Sequence, residues 1–306
     1  MIIEKLQNYR ILQHRLVLGF FFCFVIISLS GLQLRAQDHM LVINEIMYDP
    51  LTDQPEWIEL FNPGVSNVNL CKWQISDSNT DRRILITNKN SFVIPSGYVV
   101  ISQDSSIVRL FSPFDGTLFV PGKFPRLNND FDSVVLFDSS GSVVDRVDYQ
   151  SKWGGGEGFS LERINPKNFP NNSSNWSQCV SVEGGTPGRR NSIFASSFPS
   201  QAMVLVSPNP FSPDGDGIED VAVVSYILPT KTSAVNLRIY DIHGRCIRIL
   251  LGASPSGSQG SVIWDGRDEA GRVCPMGIYI VCIESLSSAA GKVAIAKTTV
   301  VLAKKL

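Results

Sequence analysis

The stretch SVVLFDSSGSVVDRVDY (133–149) decides the fold class. Two runs in which apolar residues alternate with polar ones are joined by Asp138-Ser139-Ser140-Gly141. Glycine takes positive φ without steric cost and aspartate bonds local amides, so the four residues predict a hairpin turn. Short runs of the same kind recur along the chain: LVINEIMY (41–48), EWIELFN (56–62), YVVISQD (98–104), VNLRIYDIHGRCIRIL (235–250) and GIYIVCIE (277–284). In VNLRIY, Val235, Leu237 and Ile239 alternate with Asn236, Arg238 and Tyr240, the period-two pattern of a half-buried strand. Helical periodicity is hard to find after residue 37, and turn signals separate the runs, so the chain reads as all-β sandwich.

At 306 residues the chain is long enough for two ordinary domains, each with its own core. Residues 1–36 read as an export signal. Lys5, Arg10 and Arg15 precede the apolar run Leu16–Leu32, which ends in small residues and is short for a comfortable membrane crossing. Cleavage after Ala36 is expected, with an uncleaved N-terminal anchor as the alternative. NSIFASSFPSQA (191–202) interrupts the strand pattern with small polar residues and Pro199. The expected organisation is therefore a signal peptide (1–36), a first sandwich (37–193), a linker (194–203) and a second sandwich (204–306). No period of 20 to 50 residues repeats, which argues against a solenoid or propeller.

With 27 basic and 28 acidic residues the net charge is −1, and the chain beyond the signal is mildly acidic. Neither half carries the clustered positive charge that a phosphate backbone requires, so nucleic acid is not expected as a partner. Five cysteines follow the signal: Cys71, Cys179, Cys246, Cys274 and Cys282. None is spaced as CxxC. Export permits bridges between Cys71 and Cys179 or Cys274 and Cys282, and separate small apolar residues in strands are the other reading.

The blocks LVINEIMYDP (41–50), EWIELFNPGVSNVNLCKWQISDS (56–78), SVVLFDSSGSVVDRVDY (133–149), SLERINP (160–166) and NWSQCVSVEGGTPGRRNS (175–192) resemble, in order, the lamin tail domain in its bacterial secreted form. The resemblance implies an immunoglobulin-like sandwich serving as an interaction or attachment module, with no catalytic residue set to carry over. In EWIELFN, alternation places Ile58 and Leu60 toward the core and Trp57, Glu59 and Phe61 on the other face. Glu45, Glu56 and Glu59 invite an acid/base reading. The plainer expectation is that they cap strand ends or pair with Arg82, Arg83 or Arg163 on the sandwich surface. In GTPGRRNS (185–192), Gly185, Pro187 and Gly188 predict a tight exit turn, with Arg189 and Arg190 solvated, paired or facing a partner.

VSPNPFSPDGDGIEDVAVVSYILP (206–229), VNLRIYDIHGRCIRIL (235–250), WDGRDEAGRVCPMGIYIVCIE (264–284) and KTTVVLAKKL (297–306) resemble the C-terminal immunoglobulin-like domain of the flagellar hook-capping type. That domain is closely related to the sorting domains of type IX secretion cargo, and the resemblance implies an export or anchoring role. Within it, Asp214, Asp216 and Asp220 are a candidate calcium site, because alternating aspartates and glycines let a loop wrap a hard cation. The pattern lacks the ligand spacing of an EF-hand. The alternative is a turn whose aspartates bond local amides on the way into VAVVSY. WDGRDEAGRV, with Asp265 and Asp268, carries the same two readings.

General-base chemistry near neutral pH most often uses histidine. His14 lies in the signal, His39 near the expected new N-terminus and His243 in the turn YDIHGR. No G-x-S-x-G elbow, Walker A loop or dinucleotide glycine pattern is present, and the cysteines are scattered. The expected function is a non-enzymatic exported module: the first sandwich binds a protein or glycan at the cell surface and the second directs export or attachment. The alternatives are a secreted hydrolase, or its accessory subunit, using surface carboxylates such as Glu45, Glu56 and Asp77, and a calcium-stabilised adhesive protein.

Overall fold

The computed structural model describes residues 41–287 and 291–304, so the predicted signal peptide lies outside the described residues. The strands are β1 (Val42–Met47), β2 (Trp57–Phe61), β3 (Val68–Asn69), β4 (Gln74–Ser76), β5 (Ile84–Leu85), β6 (Phe92–Val93), β7 (Tyr98–Ser102), β8 (Thr117–Phe119), β9 (Phe131–Phe137), β10 (Val143–Gln150), β11 (Leu161–Arg163) and β12 (Trp176–Gln178), followed by β13 (Met203–Ser207), β14 (Ala222–Tyr240), β15 (Cys246–Trp264), β16 (Gly277–Ser287) and β17 (Lys292–Leu302). Among the described residues no helix is long and apolar enough to cross a membrane.

A six-stranded sheet in the order β12-β11-β1-β2-β7-β8 faces a four-stranded sheet β10-β9-β4-β5. Between them lies a core of Ile43, Ile46, Ile58, Leu60, Ile75, Val134, Leu136, Val147 and Trp176, with Tyr48 stacked on Tyr149 at 4.8 Å. The fold is the all-β, immunoglobulin-like arrangement expected, and Ile58 and Leu60 lie in this core. A bulge in β1 sets the pattern there. Ile43 pairs with Leu60 and Glu45 with Glu59, leaving Asn44 as the extra residue and bringing both Ile43 and Ile46 to the core side. Arg163 and Asp145 form a buried ion pair at 2.9 Å, and Asp145 also accepts from the Ile43 amide at 2.9 Å, so this pair joins the two sheets.

The outer face of the six-stranded sheet is buried as well. At one end Met47, Trp57 and Val100 pack under Ile107 and Phe111, supplied by a short helical turn, α1 (Ile107–Leu110), and the residue that caps it. At the other end the segment 179–193 lies across the sheet, and its residues 184–188 are all buried. Trp57 and Glu59 therefore sit on the face predicted for them, but that face is covered.

In the second half, Val224, Tyr226, Val235, Leu237, Ile239, Val281, Ile283 and Val300 form a separate core around Trp264, which contacts Phe211 at 5.3 Å and Tyr279 at 5.2 Å. Val235, Leu237 and Ile239 are buried and their neighbours half-buried, as VNLRIY predicts. Residues 194 and 195 stay with the first half: Ala195 packs with Ile164 and Ile193, and its amide donates to the Ile164 carbonyl at 3.1 Å. The halves touch where Lys231 Nζ donates to the Ser173 and Trp176 carbonyls and Gln259 Nε2 to the Phe194 carbonyl.

Asp138–Ser142 forms the predicted hairpin turn. The Asp138 carboxylate accepts from the Ser140 and Ser142 amides, and Gly141 has φ +84°. The same turn recurs at Asp241–Arg245 and Asp268–Arg272, with Gly244 and Gly271 in the left-handed region and the arginine guanidinium added to the aspartate. These bonds place Asp268 as a hairpin former. The five cysteines are separate thiols, so neither the Cys71–Cys179 nor the Cys274–Cys282 bridge is formed.

Candidate functional site

Three glutamates form a row across the covered face. Glu45 on β1 stands opposite Glu162 on β11 and opposite Glu59 on β2, and all three are fully buried. The expectation that Glu45 and Glu59 pair with surface arginines is overturned. Arg163 is committed to Asp145, and Arg83 lies over the Phe137 ring at 3.9 Å. Among the described residues no lysine, arginine or histidine forms an ion pair with any of the three glutamates.

Their partners come from the covering segment, from Ser160 and from Asn44 on β1. Ser160 Oγ donates to Glu45 at 2.5 Å and the Thr186 amide at 2.8 Å. The Gly188 amide donates to Glu59 at 2.6 Å, and Asn44 Nδ2 at 2.8 Å. The Ile193 amide and Ser192 Oγ donate to Glu162 at 3.0 and 2.8 Å. Asn191 closes the set, accepting from Asn44 and donating to the Asn44 and Arg163 carbonyls. The GTPGRRNS stretch is thus a strap that turns its amides and hydroxyls onto buried carboxyls. Gly188 is required there, because its φ is +82° and an added Cβ would lie 2.5 Å from the Gly116 nitrogen. Arg189 pairs with Glu183, and Arg190 lies over the Phe194 ring at 4.0 Å.

Burial, followed by the charge of Glu162, pushes the Glu45 carboxyl up to about 8. Burial and then Glu45 hold Glu59 well above the usual carboxylate range. Glu56 is different. It is half-buried at the rim, is pushed up to about 7 chiefly by desolvation, and bonds Gln103 at 2.8 Å. Asp77 accepts from the Asn79 and Arg126 amides. Glu56 and Asp77 both border the 126–132 segment, while Glu45 lies on the strap side. The three carboxylates considered for a hydrolase are therefore not brought together.

Alternation in EWIELFN identified the face carrying Glu59. What it missed was the common register of the three glutamates, which depends on strand pairing, and the strap, which arrives from more than a hundred residues away.

In the second half the aspartate loop folds on itself. Asp220 accepts from the Gly215 and Gly217 amides at 2.6 and 2.7 Å, Asp216 from the Ile218 amide at 2.8 Å, and Asp214 from Ser212 Oγ at 3.1 Å. One carboxyl oxygen from each of Asp214, Asp216 and Asp220 lies within 4.8 Å of the others. These are hard, oxygen-only donors, a set compatible with calcium.

Residues 35–151 match the Lamin Tail Domain family. The Lamin Tail Domain match spans β1 to β10, so β11, β12 and the strap lie beyond it. No curated protein matches the chain. Among solved structures, the chain is similar to FlgD from P. aeruginosa at 22% identity, covering 35% of this chain and 76% of that one, with a TM-score of 0.25. It is also similar to dimeric latent PorU from Porphyromonas gingivalis, at 12% identity over 88% of this chain and 21% of that one, TM-score 0.28. PorZ, an essential surface component of the type-IX secretion system of the same bacterium, matches at 14% identity over 58% of this chain and 22% of that one, TM-score 0.22. The chain spans about a fifth of PorU and PorZ. Likenesses this low carry no functional argument.

Proposed function

We propose that the chain is a non-enzymatic exported module in which the Lamin Tail Domain sandwich binds a protein or glycan at the cell surface and the C-terminal sandwich directs export or anchoring. The observation that carries this reading is the use made of the buried carboxyls in the first sandwich. They hold the covering strap in place, and none of the three sits open to a substrate. The binding role is further supported by exposed apolar side chains at one end, where Val65, Phe92 and Ile94 are solvent-facing around the buried Asn62, which donates to the Ser66 and Val93 carbonyls.

The export role is tested by fusing residues 201–306 to a neutral reporter behind residues 1–36 and following its delivery. A reporter on the cell surface is the expected result; one retained in the periplasm removes the sorting role.

The convergence of Asp214, Asp216 and Asp220 favours a second reading in which calcium stabilises the C-terminal sandwich. In that reading the loop is closed by its own amides and further tightened by the ion.

A further inference from the structure

The Thr186 hydroxyl lies 2.9 Å from Glu45 Oε2 and 2.8 Å from Glu162 Oε1. A hydroxyl has one hydrogen to donate. Two ionised carboxylates would both require it, so one of the two contacts is a hydrogen bond in which Thr186 accepts and a carboxyl donates. The surrounding donors offer no escape. The Ser160 hydroxyl and Thr186 amide are spent on Glu45 Oε1, and the Ser192 hydroxyl and Ile193 amide on Glu162 Oε2. Three like charges placed directly across neighbouring strands, buried and without a counter-ion, are also strongly unfavourable.

We propose that the Glu162–Glu45–Glu59 row holds at least one proton in the folded protein at neutral pH, shared between Glu45 and Glu162 through Thr186, and that its loss releases strap 179–193, making the strap an alkali-sensitive latch. The other ionisable groups facing the row act in the same direction or weakly. Cys179, the first residue of the strap, is a buried thiol pushed up by desolvation and then by Glu162 and Glu45. Tyr98 on β7 is pushed up to about 12 by burial and then by Glu59. Arg190 is exposed and stacked on Phe194. Arg163 on β11 is neutralised by Asp145. Desolvation followed by like-charge repulsion accounts for the raised Glu45 and Glu59.

Cys179 supplies a native reporter, since its sulfur accepts from the Ser181 amide at 3.3 Å and lies 3.5 Å from Ser192 Oγ, both on the strap. The full chain is alkylated with iodoacetamide between pH 6 and pH 9 and each cysteine is followed by mass spectrometry. The Cys179 rate is divided by that of the exposed Cys246, which removes the ordinary rise in thiolate. Release coupled to one proton raises this ratio about tenfold per pH unit, levelling above about pH 8, while Cys274 and Cys282 in the second core gain no such rise. A ratio independent of pH overturns the latch, and so does a matching loss of hydrogen-exchange protection at Ile46 and Ile58, which would mean that the whole first sandwich opens rather than the strap. Glu45→Gln, which mimics the protonated side chain, is expected to flatten the ratio. Should that variant fail to fold, infrared spectroscopy of the Glu56→Gln chain, in which the rim carboxyl contributes no band, decides the proton itself. A protonated-carboxyl band at pH 7 that fades with rising pH is expected, and its absence at pH 7 contradicts the proposal.

Discussion

Glu45 and Glu162 face each other across β1 and β11 with no cation between them, and the strap supplies the polar contacts that let both stay buried. This arrangement sets the sign of the pH dependence. Glu45 binds its proton more tightly folded, at about 8, than at the ordinary value of 4.5. Its contribution is therefore fully present below about 4.5 and is lost as pH rises toward 8. Each proton so held lowers stability by about 1.4 kcal/mol per pH unit across that window. Urea unfolding of the wild type and of Glu45→Gln at intervals from pH 5 to pH 8 checks this, the variant's slope being smaller by about 1.4 kcal/mol per pH unit while the share of Glu59 and Glu56 remains.

Gly188 combines a left-handed backbone, a close approach to Gly116 and the amide bonded to Glu59. Gly188→Ala is expected to destabilise the first sandwich by at least about 2 kcal/mol, through backbone strain and a weakened bond to a buried carboxyl. Thermal unfolding of the variant measures the loss.

Arg163 and Asp145 are a buried pair that also holds the Ile43 amide and the Asn168 carbonyl. Asp145→Ala, which strands the guanidinium, is expected to cost about 3–5 kcal/mol. Removing both charges with Arg163→Met and Asp145→Ala costs less than the sum of the single changes. A double-mutant cycle reads the difference directly.

If calcium binds at Asp214, Asp216 and Asp220, a hundredfold excess over Kd adds about 2.7 kcal/mol to the stability of the second sandwich. Asp216→Asn, which keeps an oxygen for the Ile218 amide, removes most of that gain. Calorimetry with calcium and with chelator checks both, and an unchanged melting temperature leaves the loop as a turn.

Much of the architecture was legible because each segment carried its own signal. Asp138 to Gly141 specified a turn through local bonds, and the alternation in VNLRIY and EWIELFN placed Val235, Leu237, Ile58 and Leu60 inside. The buried glutamates were not legible for a physical reason. A polar residue at every second position ordinarily marks a solvated face, and only strand register shows that Glu162, Glu45 and Glu59 form one row. Several of their donors, Thr186, Gly188 and Ser192, reside in GTPGRRNS, whose glycines and proline correctly announced a turn but not what the turn covers. In the aspartate loop the local turn bonds were readable, since they span five residues or fewer.

The buried carboxyls of the first sandwich hold the strap in place. Native-state hydrogen exchange of the full chain at pH 6 tests this most directly, through the amides of Thr186, Gly188 and Ile193. Protection matching that of Ile46 and Ile58 in the core strands is predicted; exchange at the rate of an open surface loop would contradict it.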